Sequence, residues 1–211
     1  MSVRRNKQAG FTLLEVMMAL TVLAIGMLGV VALQASTIGA TQDANSFAIA
    51  NSVARTWVQR LQRDAQRWNH PSVVKSSSDI GETVWLKNVG AYSKPTWFRP
   101  DPGTTLEAKV SAAFDRMGND VLIDDKPGML NDAIYCTHVR LRQLYPDMMK
   151  AEVRVFWKKR RMGDYVRYAT YGMGDGICTV TDPDAVAKIG ADDVNFHWTY
   201  SVTGISKARA E

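Results

Sequence analysis

Residues 16–33 (VMMALTVLAIGMLGVVAL) run eighteen positions without a charge. That is close to the ~20 residues a helix needs to cross the hydrocarbon core of a bilayer. Helical spacing continues past this run. Ile49, Val53, Trp57, Leu61, Ala65 and Trp68 recur at steps of three or four, while Arg60, Arg63 and Arg67 mark another face. His70-Pro71 ends the pattern, because proline disfavours helix at the residue before it. The spacing therefore predicts one helix from about Phe11 to Trp68. Its first half is apolar all round and its second half is amphipathic.

Beyond Trp68 the period changes. Residues 151–157 alternate, with Ala151, Val153, Val155 and Trp157 on one side and Glu152 and Arg154 on the other. Residues 194–202 alternate too, with Val194, Phe196, Trp198, Tyr200 and Val202 opposite Asn195, His197, Thr199 and Ser201. Both are the period-two pattern of a half-buried antiparallel strand. Residues 135–144 and 165–171 are the expected partners, and 83–89 reads as a short strand. Residues 70–81, 94–105 and 115–131 read as loops, and KKRRMGD as a turn. The sum is an α+β chain: a long N-terminal helix packed on an antiparallel sheet of about four strands.

Composition changes this picture little. The formal charge is +5 over 211 residues, but Arg4, Arg5 and Lys7 stand in the first ten positions, where there is no acid. Without them the balance is 23 basic against 21 acidic. That gives no argument for a nucleic-acid partner. The two cysteines, Cys136 and Cys178, lie outside any CxxC or metal spacing. They are either buried thiols or one disulfide, and the compartment decides which.

The N-terminus is basic and then apolar, which places its start in the cytoplasm and the rest of the chain across the membrane. A secretory signal peptide begins the same way but should end in small residues at a cleavage site. Here the apolar run ends VALQAS, with the bulky Leu33 three residues before a cut after Ala35. Neither a cleaved signal nor a plain anchor accounts for Glu15, since an unpaired carboxylate in hydrocarbon is costly.

Gly10, then Phe11-Thr12-Leu13-Leu14-Glu15-Val16, then an apolar helix, resembles the class III signal of type IV prepilins and type II secretion pseudopilins. The resemblance implies a pilin fold. It divides the chain into a leader (1–10), a transmembrane and filament-core half-helix (11–35), a second half-helix (36–70) and a globular head (71–211). It implies that prepilin peptidase cuts between Gly10 and Phe11 and N-methylates Phe11. It assigns to Glu15 the pairing of the family's glutamate with the N-terminal amine of a neighbouring subunit. Such pairing relieves the cost of an isolated acid. The alternative for Glu15 is a place near the headgroups without a partner.

Within the family, GFTLLEVMMALTVLAIGMLGVVALQ and the later AEVRVFW most resemble PilV-type minor pilins. These are structural subunits that prime assembly of a type IV pilus serving twitching motility and adhesion. The partners implied are other minor pilins, the major pilin, prepilin peptidase, the inner-membrane assembly machinery and, for some such subunits, a tip adhesin. The location implied is the inner membrane, with the head in the periplasm, and then the pilus. Export to an oxidising compartment favours a Cys136–Cys178 disulfide. Its loop of about 43 residues would contribute up to ~4 kcal/mol in the chain-entropy model.

Other candidate chemistry is sparse. Cys136 and His138 could share a strand face as nucleophile and base, but no third group accompanies them. His70, His138 and His197 have no metal spacing, and residues 115–125 (DRMGNDVLIDD) lack the calcium-loop pattern. Residues 158–161 (KKRR) read as a solvated tip or a contact with a neighbouring subunit. No cofactor or metal and no catalytic residue is expected. The alternatives are a type II secretion minor pseudopilin, separable by gene neighbourhood, and a pilus-borne DNA-uptake receptor, separable by salt-dependent DNA binding. An enzyme on a plain signal anchor would keep its N-terminus uncut.

Overall fold

The computed structural model describes residues 10–69, 80–90, 95–100, 110–121, 133–159 and 177–207. The chain divides into two compact units, Met1–Ser46 and Phe47–Glu211. Helix α1 (Leu13–Asn69) contributes to both. The first unit has no core among its described residues, because its apolar side chains point outward all round.

In the second unit α1 buries Ala50, Val53, Ala54, Trp57, Leu61, Ala65 and Trp68. These are the positions that the three-to-four spacing places on one stripe. The sheet beneath has four antiparallel strands in the order β1 (Ala113–Phe114), β2 (Tyr135–Tyr145), β3 (Met148–Lys158) and β4 (Phe196–Ser206). Tyr135, Val139 and Leu141 pair with Trp157, Val153 and Ala151, so the odd-numbered side chains of β2 and β3 share a face. That face meets α1: Phe47 packs edge-on to Trp157 at 4.8 Å, and Thr199 on β4 donates a hydrogen bond to Asn51 at 2.6 Å.

The other face of the sheet is covered in part by helix α2 (Pro183–Ala191), which buries Val186 and Ile189. This explains why β2 is buried on both sides over its first five residues. Asp182 caps α2 by accepting the Ala185 N–H at 3.0 Å, with Pro183 at its first turn. Asp-Pro followed by apolar residues three apart is a readable helix start, and the strand-based reading passed over it.

Two further expectations change. Residues 83–89 are not a strand; they lie between and within two short 3-10 turns, Ile80–Glu82 and Leu86–Gly90. The cause is Asp64 on α1, whose carboxylate accepts the N–H groups of Val84, Trp85 and Leu86 at 2.8, 2.8 and 3.1 Å. A carboxylate that takes three successive donors leaves none for a ladder. On β4 the polar set His197, Thr199, Ser201 and Thr203 faces α1, and the apolar set faces away. Asn51 and Gln62 of α1 meet the two threonines with hydrogen bonds, so the polar side is satisfied inward. The expected strand at 165–171 lies outside the described residues. The loop expected at 115–131 is, as far as residue 121, a tight turn with Gly118 at φ 83.

Candidate assembly site

Gly10, Phe11 and Thr12 precede α1 without regular secondary structure, all exposed. Thr12 starts the helix: its carbonyl accepts the N–H of Glu15 at 3.1 Å and of Val16 at 3.3 Å, and its hydroxyl lies 3.4 Å from the Glu15 nitrogen. Thr12-Leu13-Leu14-Glu15 has the composition of a capping box, with the acid in the first turn where the helix dipole favours it. That local reason for Glu15 was readable and stands beside the intersubunit one. Among the described residues no cation lies within pairing reach of the Glu15 carboxylate, and the side chain is open to its surroundings.

Phe11, Glu15, Val16, Ala19, Leu20 and Leu23 line one strip along the start of α1. From Phe11 to Leu33 the large apolar side chains are between 48% and 80% exposed. A helix apolar on every side has its place in a membrane or among other helices, not in water. By length and composition, Leu13–Trp68 is able to cross a membrane, and its most apolar window is wholly unburied. Among the described residues nothing lies within 4 Å of a Cβ at Gly26, Gly29 or Gly39, so another helix backbone can approach there.

The second unit holds a different constellation, on the sheet face away from α1. His138 on β2 and Arg154 on β3 are paired across the strands, and both are buried. Arg154 donates to His138 Nδ1 at 2.9 Å and to the Val186 carbonyl at 3.0 Å. Burial first, then the Arg154 and Arg99 guanidiniums, hold His138 well below its ordinary pKa of 6.5. The ring is therefore neutral, with Nδ1 as acceptor. Burial also lowers Arg154, opposed by its hydrogen bond to Tyr200. Trp97 lies within 5 Å of both the Arg140 and Arg154 guanidiniums, at 4.7 and 4.6 Å. Arg140 also bonds Glu152, which Lys150 reaches at 2.7 Å. Gly190 of α2 sits against Arg154, and a Cβ there would stand 1.7 Å from Nη1.

The remaining candidates are described in part. Cys136 is joined to Cys178 in a disulfide with Cα atoms 5.2 Å apart, so it is no thiol partner for His138. His138 and His197 lie on opposite faces of the sheet, and His70 lies outside the described residues. Asp115 is occupied by its own turn, accepting the N–H groups of Met117 and Asn119. Asp120 binds Arg60 through both oxygens, at 3.0 and 2.6 Å. Lys159 donates to the Asp193 carbonyl, while Arg160 and Arg161 lie outside the described residues.

Residues 5–31 match the family model of the prokaryotic N-terminal methylation motif. No curated protein and no solved structure matches the chain. The matched segment lies within the first unit and contains Gly10, Phe11 and Glu15. The motif supports a pilin-like protein, a structural subunit of a pilus or pseudopilus rather than an enzyme. With the apolar helix that follows, it points to membrane anchoring. The α+β head, a helix on a four-stranded antiparallel sheet, is consistent with the pilin fold.

Proposed function

We propose that the chain is a minor pilin, made as a prepilin, cut between Gly10 and Phe11, N-methylated at Phe11 and built into a type IV pilus whose assembly it primes. The observation that carries this reading is the methylation motif running directly into a helix that is long and apolar enough to cross a membrane. Before assembly the helix is the membrane anchor, with the head on the periplasmic side. In the filament it packs among the helices of the major pilin and other minor pilins. The cut creates a cation at the Phe11 amine, and Glu15 of one subunit pairs with that amine on the next. An exposed first-turn carboxylate has the reach for this, and in an apolar setting pairing offsets most of its desolvation cost. The methylation motif serves secretion pseudopilins equally, and these remain the second reading.

Glu15→Ala tests the pairing. Processing proceeds as in the wild type, because the peptidase acts on the backbone at Gly10. Incorporation into sheared filaments, read by immunoblot against the cell-associated pool, falls about tenfold or more, as expected for loss of a charge pair in an apolar setting. Wild-type incorporation would show that Glu15 serves only to cap its own helix.

A further inference from the structure

One nitrogen of Arg154 joins the sheet to α2. Its Nη2 gives one hydrogen to His138 Nδ1 at 2.9 Å and the other to the Val186 carbonyl at 3.0 Å. Gly190 leaves room for this guanidinium: a Cβ there would stand 1.7 Å from Nη1 and 2.7 Å from Cζ. Helix α2 has nine residues, of which Val186 and Ile189 are buried. A helix that short does not persist in water by itself, so it keeps its form only while seated on the sheet. The chain on either side of it is fixed separately, by the Cys136–Cys178 disulfide before and by β4 after.

The seat depends on a neutral imidazole. His138 accepts at Nδ1, whereas an imidazolium carries a hydrogen on both ring nitrogens and has nothing left to accept with. A proton on Nδ1 sets donor against donor and adds a charge beside the guanidiniums of Arg154 and Arg99. Arg99 itself bonds the Cys178 carbonyl at 2.8 Å, and Tyr200 on β4 bonds Arg154. Glu152, next on the same face of β3, is taken up by Arg140 and Lys150. On α2 the charged residues Asp182, Asp184 and Lys188 are exposed, and Asp182 is spent on the helix cap.

We propose that His138 is an acid-operated latch for α2: when its ring takes up a proton, Arg154 releases the Val186 carbonyl and α2 lifts from a sheet that stays folded. The buried side chains of Val186 and Ile189 then become exposed. In acid the head thus presents an apolar surface that it withholds at neutral pH. Closed, the ring resists the proton; open, it takes one at the ordinary value near 6.5. The open form therefore gains up to about tenfold per pH unit below that value. The latch follows from contacts within the head and stands whether or not the chain is cut at Phe11.

The test is hydrogen exchange of the full chain in detergent micelles at pH 7 and pH 5. Mass spectrometry reads peptides from α2 and from β3, corrected for the chemical exchange rate. The expected result is α2 protection lower by about tenfold or more at pH 5, with β3 protected about a hundredfold or more better than α2 at both pH values. His138→Gln takes up no proton in this range and keeps its α2 protection within about twofold. Gly190→Ala pushes Arg154 aside and lowers α2 protection at pH 7 by about tenfold or more, while β3 stays protected. Protection of β3 reports folding in each variant, and if His138→Gln does not fold, Gly190→Ala decides. Equal α2 protection at both pH values, loss of α2 and β3 protection together, a wild-type fall in His138→Gln, or wild-type protection in folded Gly190→Ala would each overturn the proposal.

Discussion

His138 sits buried where a charged imidazole would face two guanidiniums, those of Arg154 and Arg99. Its folded pKa lies below 6.5, while in the unfolded chain it returns to about that value. The unfolded state therefore binds the extra proton first as pH falls. The contribution is complete above about pH 6.5 and is lost below it, at up to ~1.4 kcal/mol per pH unit for one group. Denaturant melts between pH 7 and pH 5 should show stability falling, with the fall reduced in His138→Gln. The same slope in the variant would mean that other groups set it. The lowered pKa values of Asp115 and Glu152 act at more acidic pH, below the ordinary carboxylate values. Asp64 is the second residue with a large local role. Asp64→Ala strands three backbone N–H groups and should cost about 3 kcal/mol, with Asp64→Asn costing less. Thermal melts of the two variants check this order.

At the scale of elements, the disulfide ties β2 to the segment that leads into α2. The linked cysteines are 42 positions apart, and the chain-entropy model gives the link about 4 kcal/mol. Cys136→Ala with Cys178→Ala should lower stability by roughly that amount, read by denaturant midpoint under non-reducing conditions. An unchanged midpoint would mean that α2 holds its place without the link. Elements that bury a single apolar stripe were legible in advance. Helix α1 announced itself by period because packing on one side filters its residues, and β3 did so through Ala151 to Arg154 by residue type, although it is buried on both faces from Val153 to Trp157. The stretch at 83–89 misled because its conformation is set from α1, by Asp64, and local pattern carries no trace of so distant a donor count. The inward face of β4 misled for a related reason: its threonines face α1 through side-chain hydrogen bonds to Asn51 and Gln62, and apolar alternation does not see such pairs. Helix α2 was within reach through Asp182-Pro183, and Glu15 had a local reading through Thr12.

For the whole molecule, the part of the candidate site that was legible is the part that is contiguous in sequence. Gly10, Phe11 and Glu15 fall within one short motif, and the apolar helix after them is a continuous run of residues. The cluster of Trp97, His138, Arg154 and Tyr200 was not legible, because the sheet assembles it from four separate stretches. Subunit behaviour in this account turns on one covalent event. Before it, no cation among the described residues stands near Glu15; after it, each subunit would carry both halves of the proposed pair. Mass spectrometry of the mature protein's N-terminus tests this directly. The account predicts a chain that begins with N-methyl-Phe11 and lacks residues 1–10. A chain that retains Met1 or its leader in cells with active prepilin peptidase would contradict it.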